Sequence, residues 1–291
     1  MAMPLKEALY YEPLDPGDVR CRLCPHLCRV PDGKAGLCGA RRNQKGRLYA
    51  ATYGYISACA LDPVEKKPLD HFYPGSHILS IGNYGCNLRC AFCQNHGISF
   101  SSPEPGARMM TPAQTAELAE SLAGGGNIGV AYTYNEPLIA YEYVLDCAAE
   151  VRKRGMKNVL VTNGYILQQP LEALLPYIDA LNIDLKAFTD AFYREHGGDL
   201  ETVKQTIASA AGAAHVEITS LIIPGENDDE AEMDALAAFL AGVRKDIPLH
   251  VTRFFPRHRM TDKPPTPAET IHKLTAVAKR HLTFVYPGNM R

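Results

Sequence analysis

Gly85-Cys86-Asn87-Leu88-Arg89-Cys90-Ala91-Phe92-Cys93-Gln94-Asn95 sets three cysteines at a C-x3-C-x2-C spacing, with an aromatic residue directly before the last. Thiolates are soft ligands that favour iron or zinc, and spacers this short let one loop curl around a compact cluster. Three ligands are one short of a closed site. A 4Fe-4S cluster held by Cys86, Cys90 and Cys93 keeps one iron open, and an open metal position is what chemistry needs. The bland alternative is a three-cysteine zinc or redox-inert site, with Phe92 as plain core.

On both sides of this loop the chain alternates short apolar β-branched runs with helical stretches. That alternation is the signature of βα units and a parallel sheet. The first strand, residues 77–82, ends directly at the cysteine loop, and further strands are expected at 128–133, 158–162, 180–186, 215–223 and 249–255, with a closing strand at 283–286. Thr111 followed by Pro112 marks a helix start, and Gly124-Gly125-Gly126 its stop. The fold class expected is α/β, a partial (β/α)6 TIM-like barrel over residues 77–291, preceded by a cysteine-rich segment and connecting arm over 1–76.

Polar residues in the strand runs cluster near their C-terminal ends, where parallel barrels build their active sites. Asn135 and Glu136, Thr162 and Asn163, Asp184 and Lys186, and His250 and Arg253 fall there. One polar residue in a strand can be satisfied core; several converging beside a cysteine loop argue for a site.

A second cysteine group precedes the barrel: Cys21, Cys24, Cys28 and Cys38, interrupted by a turn with Gly33 and Gly36. Four thiolates close a site, and they satisfy a tetrahedral zinc ion or a second 4Fe-4S cluster alike. A redox-inert zinc is the first expectation and a second cluster the next. His26 inside the knuckle could replace one cysteine, and free thiols are the plain reading. The arm over 40–76, with basic residues and then Asp62-Pro63-Val64-Glu65-Lys66-Lys67-Pro68-Leu69-Asp70-His71, reads as a loop to the first strand, a solvated connector unless Lys66, Lys67 or His71 caps a substrate mouth. Cys59 and Cys147 read as buried small hydrophobes.

At 291 residues and 46% hydrophobic content the chain can bury a large core. Its net charge of -2, from 30 basic and 32 acidic residues, gives no electrostatic reason for broad nucleic-acid binding. No stretch approaches the ~20 apolar residues of a membrane span, and the start lacks a secretory pattern, so a cytoplasmic location without membrane contact is expected. Nine cysteines in a reducing compartment fit metal ligation better than disulfides.

The cysteine loop with Phe92 before Cys93 resembles that of the radical S-adenosylmethionine superfamily. The N-terminal four-cysteine segment, residues 62–69, Cys93-Gln94-Asn95 and the terminal Val285-Tyr286-Pro287-Gly288-Asn289 resemble, within that superfamily, the pyruvate formate-lyase activating enzyme branch and its AmmeMemoRadiSam-type members. The resemblance implies a cluster whose open iron chelates S-adenosylmethionine, whose reductive cleavage gives a 5′-deoxyadenosyl radical that abstracts hydrogen from a substrate. It also implies a flavodoxin or ferredoxin-type reductant. Phe92 would lie against adenine. Tyr134-Asn135-Glu136-Pro137 stands where activating enzymes have Gly-Gly-Glu-Pro, a segment holding the cofactor's amino group; both glycines are missing here, while Glu136 and Pro137 match. Asn163 matches the family's Thr-Asn-Gly, Asp184 and Lys186 its Asp-x-Lys near cofactor and substrate, and His250 a histidine near the cofactor. The resemblance leaves open a partner protein carrying a glycyl radical, a small molecule or an RNA base as substrate. A non-catalytic iron-sulfur or zinc module is the rival of another class; it would not need polar residues at the strand ends.

Overall fold

The computed structural model describes residues 5–290. The N-terminal part is built of short antiparallel strands. β1 (Tyr11–Leu14), β2 (Asp18–Cys21) and β3 (Arg29–Val30) form one small sheet. β4 (Arg41–Gln44) and β5 (Arg47–Ala50) form a hairpin whose two turn residues, Lys45 and Gly46, both take positive φ, as a type I′ turn requires.

β6 (Ala58–Pro63) then opens the main sheet. It pairs antiparallel with β7 (His77–Gly82), and from there every neighbouring pair is parallel: β8 (Asn127–Tyr132), β9 (Lys157–Thr162), β10 (Ala180–Asp184), β11 (His215–Ile222), β12 (Leu249–Arg253) and β13 (Val285–Gly288) follow in sequence order across the sheet. The crossovers carry α1 (His96–Ser99), α2 (Pro112–Ser121), α3 (Tyr141–Lys153), α4 (Gln168–Leu174), α5 (Asp190–Glu195), α6 (Leu200–Ala211), α7 (Glu230–Val243) and α8 (Ala268–Ala278). The α/β reading of a partial barrel with six βα units therefore holds. The start of α2 is set as its sequence suggests: the Thr111 hydroxyl accepts from the Gln114 amide, and the Gln114 side chain accepts from Thr111 in return.

Strand side chains alternate between two apolar layers. Leu79, Val130, Leu160 and Leu181 belong to the large core that the helices cover. Ile78, Ala131, Val159 and Ala180 point the other way, against Val64, Leu69 and Phe72. Those last three come from the arm, which overturns its reading as a solvated loop. Residues 58–63 are an edge strand, and 64–72 cover the face that the helices leave bare. The physical reason is that an open parallel sheet is apolar on both faces and needs a cover on each. Lys67 is drawn in with the arm: it is 3% exposed, its Nζ donates to Asp62 at 2.8 Å and stands 4.9 Å above the Tyr134 ring. Cys147 is buried as expected, while Cys59 on the edge strand is only half-buried.

No helix among the described residues is long and apolar enough to cross a membrane.

Candidate active site

The cysteine loop leaves the C-terminal end of β7 and is held by carboxamides. Asn135 grips both sides of its first turn: its Oδ1 accepts from the Asn83 amide at 2.8 Å and its Nδ2 donates to the Gly85 carbonyl at 3.0 Å. Asn87 donates to the Tyr165 carbonyl at 2.7 Å, and Asn95 to the Tyr134 carbonyl at 2.7 Å. Gly85 is required where it stands. Its φ is +89°, and a Cβ there would lie 2.3 Å from the Cys38 carbonyl oxygen, so no side chain fits. Asn83 and Asn87 escaped the sequence reading, because a carboxamide in a loop carries no spacing that separates a clamp from an ordinary turn residue.

Cys86, Cys90 and Cys93 are all free thiols on this one loop. Burial raises Cys90 to about 11 and pushes Cys86 higher still, so both stay protonated in the absence of a cation. A soft metal centre bound here displaces those protons and makes thiolates of them. The donor set fits a 4Fe-4S cluster with one iron free of protein ligands.

Glu136 and Asn163 meet the loop from the next two strands. Glu136 is buried, and its carboxylate accepts from the Thr162 hydroxyl at 2.7 Å, the Leu138 amide at 2.9 Å and the Asn163 amide at 2.8 Å. Burial raises it to about 7, against the lowering by those three donors. Thr162 and Asn163 are thereby fixed. The Asn163 Nδ2 in turn lies 3.0 Å from Asn87 Oδ1 and 3.7 Å from Cys86 Sγ. Tyr134 takes φ +72°, so the segment keeps a left-handed kink without the glycines of the activating enzymes.

Asp184 ends β10, and its Oδ2 accepts from Lys186 Nζ at 2.8 Å. Burial alone would lower the Lys186 ammonium, but the charges of Asp184 and Cys90 raise it above its ordinary value. The same ammonium stands 5.9 Å from the Phe92 ring centre. Phe92 is buried, 5.1 Å edge-on from His196 and 6.0 Å from Phe192, both carried by the α5 region. His196 also accepts the Arg89 amide on its carbonyl at 2.9 Å, a support for the loop that nothing in its sequence context signals.

His250 goes elsewhere. It is the second of five residues in β12, not a residue of its C-terminal end, and its ring bonds Glu217 at 2.7 Å. Glu217 is fully buried and also takes the His215 ring at 2.9 Å and the amides of Asp70 and His71 at 3.0 and 2.7 Å. His250 follows Leu249 at the start of the expected strand 249–255 and of the observed strand alike, so its place in the run already sets it away from the C-terminal end. It anchors the arm beneath the sheet rather than joining the cysteine loop.

The N-terminal cysteines do come together. Cys21, Cys24, Cys28 and Cys38 line one cavity, with Arg41, Gly36 and Asn87 in its wall. Burial raises Cys24 to about 12 and Cys38 to about 11. His26 lines the same cavity, but its Nε2 is bonded to the Asn87 carbonyl at 2.7 Å, so it is tied to the cysteine loop. Arg41, which the sequence presents as one more surface base, is buried and paired with Glu142 at 2.9 Å.

The chain is 41% identical over 291 residues to the uncharacterised protein MJ0808 of Methanocaldococcus jannaschii, which spans 98% of this chain and 86% of that one. It is 26% identical over 165 residues to the pyruvate formate-lyase 1-activating enzyme of Escherichia coli K12, across 53% of this chain and 65% of the enzyme. Among solved structures, a radical SAM methyltransferase from Sphaerobacter thermophilus superposes with a TM-score of 0.56 at 16% identity, covering 99% of this chain and 78% of that one, a likeness of fold. The family model for the Radical SAM superfamily matches residues 80–237, from inside β7, through the three-cysteine loop, to α7. With that loop at the end of the first parallel strand and Asn163 reaching its first thiol, the chain belongs to the radical SAM superfamily and is an enzyme of that class with relatives among the pyruvate formate-lyase activating enzymes.

Proposed function

We propose that Cys86, Cys90 and Cys93 hold a 4Fe-4S cluster, that S-adenosylmethionine binds beside it, and that hydrogen is taken from a substrate at the C-terminal end of the sheet. When bound, the reduced cluster and S-adenosylmethionine supply a 5′-deoxyadenosyl radical, and the protein's share is orientation and the exclusion of water. The observation that carries this reading is the convergence of three strand ends on one loop: Asn135 on Gly85, Asn163 on Cys86, and the Asp184–Lys186 pair on Phe92.

Each residue has a part its geometry suits. Glu136 spends three acceptor positions on Thr162, Leu138 and Asn163, which leaves room for one further donor such as a ligand ammonium. Lys186 offers a fixed positive donor to a carboxylate of cofactor or substrate. Phe92, braced by Phe192 and His196, offers an apolar wall to an adenine. His250, bound to Glu217, keeps a structural part instead. A flavodoxin or ferredoxin-type protein is the expected one-electron donor. A reducing cytoplasm suits a chain whose nine cysteines are all free.

The substrate class is read by deoxyadenosine release from reconstituted, reduced protein with S-adenosylmethionine, supplemented with host extract split by size. Stimulation by the macromolecular fraction supports a second reading, activation of a partner protein, which the likeness to the E. coli activating enzyme favours. Stimulation by the small-molecule fraction alone rejects that reading.

A further inference from the structure

Resting on the cluster assignment of the preceding subsection, we propose that Cys21, Cys24, Cys28 and Cys38 hold a second 4Fe-4S cluster that relays electrons to the one in the 86–93 loop, with Arg41 as a buried hydrogen-bond donor to it.

The first observation is Arg41 itself. It is 1% exposed and stands in the wall of the four-cysteine cavity. One terminal nitrogen, Nη2, donates to Glu142 Oε1 at 2.9 Å and to the Leu9 carbonyl. Its Nε and Nη1 have no hydrogen-bond partner among the described residues. Buried donors left unmade are costly, and a buried guanidinium more so. Glu142 already balances the Arg41 charge, so what the two free nitrogens want is acceptors, and an occupant rich in sulfur, as a metal centre ligated by four thiolates is, supplies them.

The second observation separates a cluster from a single ion. The four thiols ring the cavity instead of converging on a point: no three His, Cys, Asp or Glu side chains among the described residues stand close enough to hold one metal ion. A tetrahedral zinc needs all four sulfurs about 2.3 Å from one centre. A cubane takes each thiolate at a different iron, so a ring of thiols around a hollow is the arrangement that suits it.

The third observation is position. Asn87 lines the cavity, and its Oδ1 lies 3.0 Å from the same Asn163 Nδ2 that reaches Cys86 Sγ at 3.7 Å. Gly85 admits no side chain because the Cys38 carbonyl presses against it. A single carboxamide and one peptide thus separate the two cysteine groups. The relay involves no bond change: a low-potential ferredoxin or flavodoxin loses one electron, the N-terminal cluster gains it, and that cluster is reoxidised as the loop cluster is reduced by one electron.

The test uses the full chain, anaerobically reconstituted. Wild type is expected to carry about eight irons, the content of two 4Fe-4S clusters, and on reduction to show two mutually broadened electron paramagnetic resonance signals. Cys28→Ser should lose roughly half the iron and one signal. It should also lower deoxyadenosine release with reduced ferredoxin at least tenfold more than release with dithionite, which can reach the loop cluster directly. Arg41→Met, a variant that keeps all ligands, should shift the reduction potential of one signal and leave the other in place. One zinc per chain bound by these cysteines, a single unbroadened signal in wild type, or equal effects of Cys28→Ser with both reductants would overturn the proposal. Wild type with both clusters full and no deoxyadenosine from either reductant would instead remove the reading on which the relay rests.

Discussion

The Thr162 hydroxyl donates a 2.7 Å hydrogen bond to Glu136 Oε1, tying the end of β9 to the segment after β8. The Asn163 amide, 2.8 Å from the other carboxylate oxygen, makes the tie two-handed. Glu136→Ala strands both donors and the Leu138 amide in a buried place, at roughly 1–3 kcal/mol for a buried group left unmade. Thermal unfolding should show that loss, and deoxyadenosine release should fall with it because Asn163 is freed. An unchanged melting temperature would contradict the strut.

Glu217 gives the fold an acid limit. Burial pushes its carboxyl up, but hydrogen bonds from His215, His250 and the amides of His71 and Asp70 outweigh it and hold the group at about 2. Because the folded value lies below the unfolded one, the stabilisation is present above the ordinary glutamate range and is lost as pH falls toward 2. Its ceiling is roughly 3 kcal/mol. Urea titrations between pH 5 and about 2.5 should find wild type losing stability faster than Glu217→Gln; parallel losses would show that the cluster of histidines does not act through this carboxylate.

The pair of buried Lys67 and half-buried Asp62 ties the arm to the sheet at 2.8 Å, with the Tyr134 hydroxyl 2.9 Å from the same Asp62 oxygen. Lys67→Met leaves that carboxylate with only the exposed Lys66, 3.4 Å from its other oxygen, as a cation, and should cost less than the roughly 3–5 kcal/mol of a fully buried pair broken on one side. Lys67→Met with Asp62→Asn should recover much of it. A double-mutant cycle with additive effects would mean the two charges are not coupled.

Gly85→Ala should damage both cysteine groups at once. The added Cβ meets the Cys38 carbonyl at 2.3 Å, and backbone cannot yield as a flexible side-chain tip does. Iron content should drop at both sites, whereas Gly17→Ala, where φ is +98° but no atom lies within 4 Å, serves as the control for strain alone. Equal iron in the two variants would argue against close packing of the loop on the N-terminal segment.

Cys90→Ala should remove metal from the 86–93 loop and leave it at the N-terminal cysteines, since Cys90 is absent from the wall of their cavity. Loss of all metal together would mean that the two groups form one site.

The parallel strands and the cysteine loop were readable because short apolar β-branched runs and close thiol spacing are local signals. The arm was not. Val64, Leu69 and Phe72 are spread among prolines and charges, and what buries them is the bare face of a sheet assembled from residues far along the chain. His250 was misplaced for a related reason: it stands at the start of its strand, not the end, and Glu217, the partner that fixes its part, lies 33 residues away. Arg41 looks like any basic surface residue until Glu142 meets it 101 residues later. Pairings of this kind exist only in three dimensions, whereas the roles of Glu136 and Asn163 could be suspected from their places at strand ends.

The most direct measurement is the release of 5′-deoxyadenosine by the iron-loaded, dithionite-reduced wild-type chain, compared with Cys90→Ala under the same conditions. The account predicts release that depends on S-adenosylmethionine and vanishes in the variant. Absence of release from wild type whose loop cluster is shown spectroscopically to be full would contradict it.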